Sequence, residues 1–283
     1  MSEPGDRRPI RRILVALDAS ADSLAGLEAA AQLAAEVEAE IAGLFVEEAD
    51  LLRVGRLPGT REIPLFAEEP RTLEAGDLER QLRGQARTAQ DALRSVAERL
   101  KVRWSFRTVR GDVATELAEA AVGADLLTVG ATGRSLSRPP GSTVRALLGR
   151  AGPPVLVLRQ GARLGRVIHV LHDGSAAAWE AVRTAAELGR REGGRLDVLL
   201  AVEDADEARE LRERTARELG RSGLPTRYRH LPRADVGHVC SALREGPGVL
   251  VAPAPRFRHR ARSLGRLLRA AGRPVVLVGP GSD

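Results

Sequence analysis

Apolar residues along this chain alternate between two patterns. Ile13-Leu14-Val15-Ala16-Leu17 is a continuous apolar run, and Leu24, Leu27, Ala31, Ala34 and Val37 then recur at helical spacing. The pattern predicts strand 13–17, helix 21–38, strand 40–46, a polar and proline-bearing stretch over 47–77, a long helix marked by Leu78, Leu82, Ala86, Ala89, Leu93, Val96 and Leu100, and strand 102–109. Helix 113–122, strand 125–129, a glycine-bearing loop, helix 142–150 and strand 154–158 follow. Asp18, Ser20 and Asp22 are candidates to cap the first helix.

The order then repeats. Ile13 to Ser20, ending in Asp18-Ala19-Ser20, recurs as Ile168 to Ser175, ending in Asp173-Gly174-Ser175. Gly152-Pro153-Pro154-Val155-Leu156-Val157-Leu158 recurs as Gly272-Arg273-Pro274-Val275-Val276-Leu277-Val278. The second copy predicts strands 166–171, 195–201, 225–231, 248–252 and 274–278, with helices 175–192, 205–221, 234–244 and 262–271 between them. Two domains are expected, 10–160 and 164–280. Each is an α/β unit with a five-stranded parallel sheet wrapped by helices on both faces, and ligands belong at the carboxyl ends of the strands.

Composition narrows the function classes. Hydrophobic residues make up 43% of the 283, but aromatics only 2%, so the core is aliphatic. One cysteine, Cys240, excludes an internal disulfide framework and a cysteine-based zinc cluster. No apolar span suits a membrane helix and the polar start lacks a signal-peptide core, so a cytoplasmic protein is expected. Net charge is +6 and sits unevenly: residues 1–161 hold 22 bases and 23 acids, residues 162–283 hold 22 and 15. A basic half attracts polyanions, yet scarce aromatics argue against nucleic acid, whose readers stack bases on such rings.

The stretch Gly130-Ala131-Thr132-Gly133, then Gly141-Ser142, lies between a strand and a helix. Glycines there let backbone approach a ligand, and a helix start favours an anion. Taken alone, the same residues also make a plain strand-to-helix turn with a serine cap. With Asp18 at the first strand end and Pro154 to Leu158 at the close, this constellation resembles the universal stress protein family over nearly the whole chain, as two tandem domains. The resemblance implies doubly wound sheets in strand order 3-2-1-4-5, dimer-like pairing through the last strands, and ATP binding in one subgroup. Carried over, Ala16 and Leu17 flank an adenine, Asp18 accepts hydrogen bonds from the adenosine, Val46 presents backbone to the adenine edge, and Gly130, Gly133, Gly141, Ser142 and Thr143 hold phosphates. ATP, with or without Mg²⁺, is the implied cofactor. The family pattern places nine residues between the second and third glycines; this chain has seven, two of them Pro139 and Pro140. An inactive loop would leave no cofactor.

The second copy has no such loop. Ala252-Pro253-Ala254-Pro255-Arg256-Phe257-Arg258 stands in its place, and residues 256–273 hold seven arginines, His259 and no acid. This half reads as degenerate and nucleotide-free. Its arginine run is either a solvated face or an anion-facing patch, whose candidate targets are the acidic stretch holding Glu47, Glu48, Asp50, Glu68 and Glu69, a partner protein or a polyanion. His169 and His172 face opposite sides of one strand and do not pair as metal ligands. Arg110-Gly111-Asp112 reads as a strand-to-helix turn. No Walker loop, nucleophile elbow or zinc-protease motif is present, and no general base is identifiable. Turnover beyond slow phosphate loss is therefore not expected. The leading expectation is ATP-dependent association in a stress response, with the two copies paired within the chain, a homodimer open, and an unidentified protein partner. The alternatives are a nucleotide-free interaction scaffold and a polyanion or RNA binder acting through 256–273.

Overall fold

The computed structural model describes residues 10–55, 61–62, 71–72, 75–132, 142–148, 150, 152–243, 248–258 and 261–279. The first half runs β1 (Arg12–Leu17), α1 (Ala21–Val37), β2 (Glu40–Glu48), α2 (Ala49–Gly55), the short pair β3 (Arg61–Glu62) and β4 (Arg71–Thr72), α3 (Ala75–Leu100), β5 (Trp104–Gly111), α4 (Val113–Ala120), β6 (Leu126–Gly130), α5 (Ser142–Leu147) and β7 (Val155–Leu158). The second half runs β8 (Val167–His172), α6 (Ala176–Gly189), β9 (Arg195–Leu200), α7 (Ala205–Leu219), β10 (Thr226–His230), α8 (Val236–Ala242), β11 (Gly248–Pro253), α9 (Pro255–Arg258), α10 (Ala261–Ala270) and β12 (Val275–Val278). The elements differ from the apolar pattern in several places: the stretch expected to be irregular over 47–77 holds α2, β3 and β4, and β5 runs to Gly111. The fifth helix stops at Leu147, and a one-turn helix, α9, opens where the arginine run begins.

Ten strands form one sheet in the order β10-β9-β8-β11-β12-β7-β6-β1-β2-β5. Within each half this is 3-2-1-4-5, all parallel. The inner strands β6, β7, β11 and β12 are apolar and almost wholly buried because helices cover both faces. The outermost strands β5 and β10 alternate in exposure and carry Arg107, Arg110, Arg227 and Arg229, charges that discourage further strand pairing. Alanines at 30, 31 and 34 bring α1 close onto the sheet.

The halves meet where β7 and β12 pair antiparallel, Leu156 opposite Val276. All eight of their residues are buried, each worth roughly 1.5–3 kcal/mol relative to exposure. They alternate between two apolar layers, and both layers continue across the seam. The layer holding Leu156 and Val276 is built with α1, α3, α6 and α7; the layer holding Val157 and Leu277 is built with α4, α5, α8 and α10. Glu36 of α1 reinforces the seam by meeting Arg166 at 3.1 Å and Arg191 at 3.4 Å. Buried Arg191 also donates to the carbonyls of Leu188 and Gly165. Because the joining strands are antiparallel, the strand carboxyl ends of the two halves lie at opposite ends of the sheet.

His169 and His172 do face opposite sides of β8, and both are buried. His169 Nδ1 lies 3.0 Å from Asp197 Oδ2, which also accepts from Arg229 at 2.9 Å. Burial alone would push the Asp197 carboxyl up; the His169 hydrogen bond and the Arg229 charge outweigh it and hold the carboxyl below its usual range. His172 packs edge-on against Trp179 at 4.5 Å between ring centroids, and neither of its nitrogens has a hydrogen-bond partner among the described residues. Burial lowers its pKa from the ordinary 6.5 to about 4, against the opposing pull of Asp173.

The unfolded chain therefore protonates His172 at a higher pH than the folded chain, and stability drains away as pH falls from about 6.5 to about 4. Urea unfolding at pH 7 and pH 4.5 should show a loss of roughly 2–3 kcal/mol assignable to this group. His172→Phe, which keeps a ring against Trp179, should remove that part of the loss. An unchanged pH dependence in the variant would assign the acid sensitivity elsewhere.

Candidate functional site

The first half reverses its strand order at β1, which pairs with β2 on one side and β6 on the other. In open α/β sheets the crevice outside the carboxyl ends of the strands at this reversal is where ligands bind. Ala16 and Leu17 close β1 and Asp18 follows it, Val46 lies near the end of β2, and Gly130 ends β6. Ala16 and Val46 share one face of the sheet, and Leu17 is buried on the other. The ladder between β1 and β2 ends at Leu17 opposite Phe45, while β2 continues beside β5 to Glu48. Val46 thus lies one residue beyond the end of β1, beside the turn that carries Asp18. Ser142 and Thr143 are the first two residues of α5, which buries Val144 and Leu147 beneath them. Gly133 and Gly141 lie outside the described residues.

The turn after β1 is tightly specified. Asp18 Oδ1 accepts from the Ser20 amide at 2.9 Å, and Ser20 Oγ caps α1 by accepting from the Ser23 amide at 3.1 Å. Of the three cap candidates, Ser20 is therefore the one that caps. Between them Ala19 has φ 57°, a left-handed conformation that costs a residue with a Cβ about 1–2 kcal/mol. The second half repeats the turn with Gly174 at φ 79°, Ser175 donating to Asp173 at 3.2 Å and Ala178 donating to Ser175 at 3.2 Å. At the rim of the first site Glu47 accepts from Arg110 at 2.8 Å, and Asp112 caps α4 by accepting from the Thr115 amide. Arg110-Gly111-Asp112 is thus a strand-to-helix junction, as the sequence suggests.

Asp22 has a larger role than capping. Its buried carboxylate accepts from the Thr132 amide at 3.0 Å and from the Thr132 hydroxyl at 2.5 Å through Oδ2, and from the Gln160 amide at 2.8 Å through Oδ1. One side chain of α1 thereby ties down the chain leaving β6 and the chain leaving β7. Gly130 makes room for it: a Cβ there would lie 3.1 Å from both the Asp22 Cβ and the Ser23 amide nitrogen. Close helix packing thus accounts for Gly130 by itself. The partners of Asp22 lie 110 and 138 residues away, so only the fold reveals them.

The arginine run of the second half is less of a patch than its sequence suggests. Arg256 bonds Asp173 and the Ala234 carbonyl, and Arg273 donates to the carbonyls of Ala271 and Leu243. Arg266 and Arg269 are exposed. Among the described residues no group of three His, Cys, Asp or Glu could hold a metal, and no helix is long and apolar enough to cross a membrane.

The model of the Universal stress protein family matches residues 9–159, the half that carries this strand-end crevice. The chain belongs to the universal stress protein family. No curated protein sequence matches it. A universal stress protein from Archaeoglobus fulgidus DSM 4304 is 17% identical and has the same fold over 97% of this chain and 98% of its own, with a TM-score of 0.75. A protein of the same family from Pseudomonas aeruginosa UCBPP-PA14 is 18% identical over 96% of this chain and 94% of its own, with a TM-score of 0.58. At these identities the likeness concerns the fold, and it extends across both halves.

The three bonds to Asp22 make it a sensitive point. Asp22→Ala removes the charged acceptor of the Thr132 and Gln160 amides; both residues are exposed, so water takes up the freed amides and the cost is that of lost hydrogen bonding to a charged group, about 1.5–3 kcal/mol. Urea unfolding should show a loss of at least about 1 kcal/mol. A loss under 0.5 kcal/mol, the size of an ordinary surface change, would mean that these bonds are not sustained in solution.

Proposed function

We propose that the first half binds an adenine nucleotide, ATP or a close relative, at the carboxyl ends of β1, β2 and β6, and that the protein acts in a stress response through nucleotide-dependent association. The observation that carries this reading is the position of Asp18. Its carboxylate closes the central strand at the reversal of strand order, with one oxygen oriented by the Ser20 amide. A carboxylate is an acceptor-only group, so it suits the hydroxyl and amino donors of an adenosine. Family membership supports the same reading. In it Ala16, Leu17 and the backbone of Val46 flank the base, while Gly130, Gly133, Gly141, Ser142 and Thr143 take the phosphates. Mg²⁺ enters, if at all, with the phosphates. The reading assigns no turnover, since it names no general base.

A nucleotide-free scaffold is the second reading. The close approach of α1 to Gly130 favours it, because packing alone explains that glycine. For the same reason Gly130→Val would report on folding as well as on ligand, and Asp18 is the better probe.

Titration calorimetry with ATP separates the two. The unaltered protein should bind one equivalent, Asp18→Ala should weaken binding roughly 10- to 100-fold, the worth of about 1.5–3 kcal/mol of hydrogen bonding to a charged group, and Asp173→Ala should leave affinity unchanged. Absence of heat and of any melting shift at millimolar ATP in the unaltered protein would leave the scaffold reading standing.

A further inference from the structure

The internal repeat allows the two strand ends to be superposed residue by residue. Ala131 donates its amide to the Leu158 carbonyl at 2.7 Å, and Ala254 donates to the Val278 carbonyl at the same distance. Counting from these equivalent bonds, Gly130, Thr132 and Gly133 of the first half correspond to Pro253, Pro255 and Arg256 of the second. Asp18 corresponds to Asp173, and Asp22 to Ala177. The changes are coordinated. Where the first half has an amide at Thr132 and a carboxylate at Asp22 to receive it, the second has a proline without an N–H and an alanine without an acceptor.

Arg256 fills the position of the loop's second glycine and reaches back over the strand end. One guanidinium nitrogen lies 3.2 Å from Asp173 Oδ2, and another donates to the Ala234 carbonyl at 2.9 Å. The ion pair is partly shielded, with 28% and 22% of the two side chains exposed. Its base is anchored, since Phe257 beside it is buried and bonds back to the Ala254 carbonyl at 2.9 Å. The same guanidinium borders a cavity of about 440 Å³ that Asp235, Phe257 and Ser263 also line. That space is open to solvent and is not lined by Asp173.

We propose that Arg256 is a tethered occupant of the second strand-end site, satisfying Asp173 in place of a ligand's donors and so closing that carboxylate to adenosine. A glycine, as in the first half, has no side chain with which to do this. The ligand class rests on the reading of the first half; the closure itself does not. Its charge makes the device effective: a guanidinium held by two partners competes for the carboxylate without the entropy loss of a free ligand.

The test uses the full chain with Asp18→Ala in every sample, which weakens the first site, and reads only the difference between proteins that share this background, so the outcome is independent of whether that site binds. In this background the protein with native Arg256 sets the baseline of adenosine uptake at millimolar concentration by calorimetry. Arg256→Ala should gain one equivalent, about tenfold or more tighter than its parent, and Asp173→Ala added to it should abolish the gain. Arg256→Gln, which shortens the side chain and removes its charge but stays polar, repeats the test should the alanine variant fold poorly, and circular dichroism melting confirms a folded protein. A folded Arg256→Ala or Arg256→Gln variant that takes up no adenosine overturns the proposal. So does a gain over the parent that survives the removal of Asp173.

Discussion

The antiparallel pairing of β7 with β12 is the constraint on which the rest of the architecture depends. Each half alone would end in an open edge strand with apolar side chains on both faces, a surface that cannot be left in water. Pairing the two edges buries both and merges the apolar layers above and below the sheet. It also fixes where chemistry can occur. With the joining strands antiparallel, the two sets of strand carboxyl ends point away from each other, so the two candidate sites cannot close on one ligand. Each strand end has to succeed or fail with its own residues.

Within that frame the halves keep one device and diverge in the next. Both end their central strand in an Asp-x-Ser turn with the middle residue at positive φ and the serine capping the following helix. Ala19 holds the strained conformation in the first half, where glycine would relieve it, and the bonds around it compensate. Beyond the turn, the first half fastens its glycine segment through Asp22 to Thr132 and Gln160. The second half substitutes Ala177, Pro255 and Arg256, and its strand-end carboxylate meets an arginine of its own chain. The basic excess of the second half is accordingly spent in part on internal bonds, which weakens the case for a polyanion surface.

Much of the fold was legible because the apolar runs are short, bounded and repeated. Ile13 to Leu17 and Ile168 to Leu171 declare two equivalent central strands, and the alanine-rich stripe of residues 24–37 declares the helix between strands. The resemblance then supplied the strand order that the sheet displays. The site was legible where it depends on local chemistry: Asp18 and Ser20 lie two residues apart and bond directly. It was not legible where distant segments meet. Asp22 looks like one more first-turn acid until Thr132 and Gln160 are brought to it, and Arg256 looks like one more arginine in a run until β8 and the loop before α8 converge on it. Charge runs and capping signals are local, whereas these two bonding sets are properties of the closed sheet.

The central claim is that this chain presents two strand-end sites of which one takes a nucleotide and the other is closed by the protein itself. A native mass spectrum of the intact protein with excess ATP measures this most directly, because it counts bound molecules per chain whatever the oligomeric state. The account predicts one adenine nucleotide per chain. A spectrum with none, or with two per chain, would contradict it.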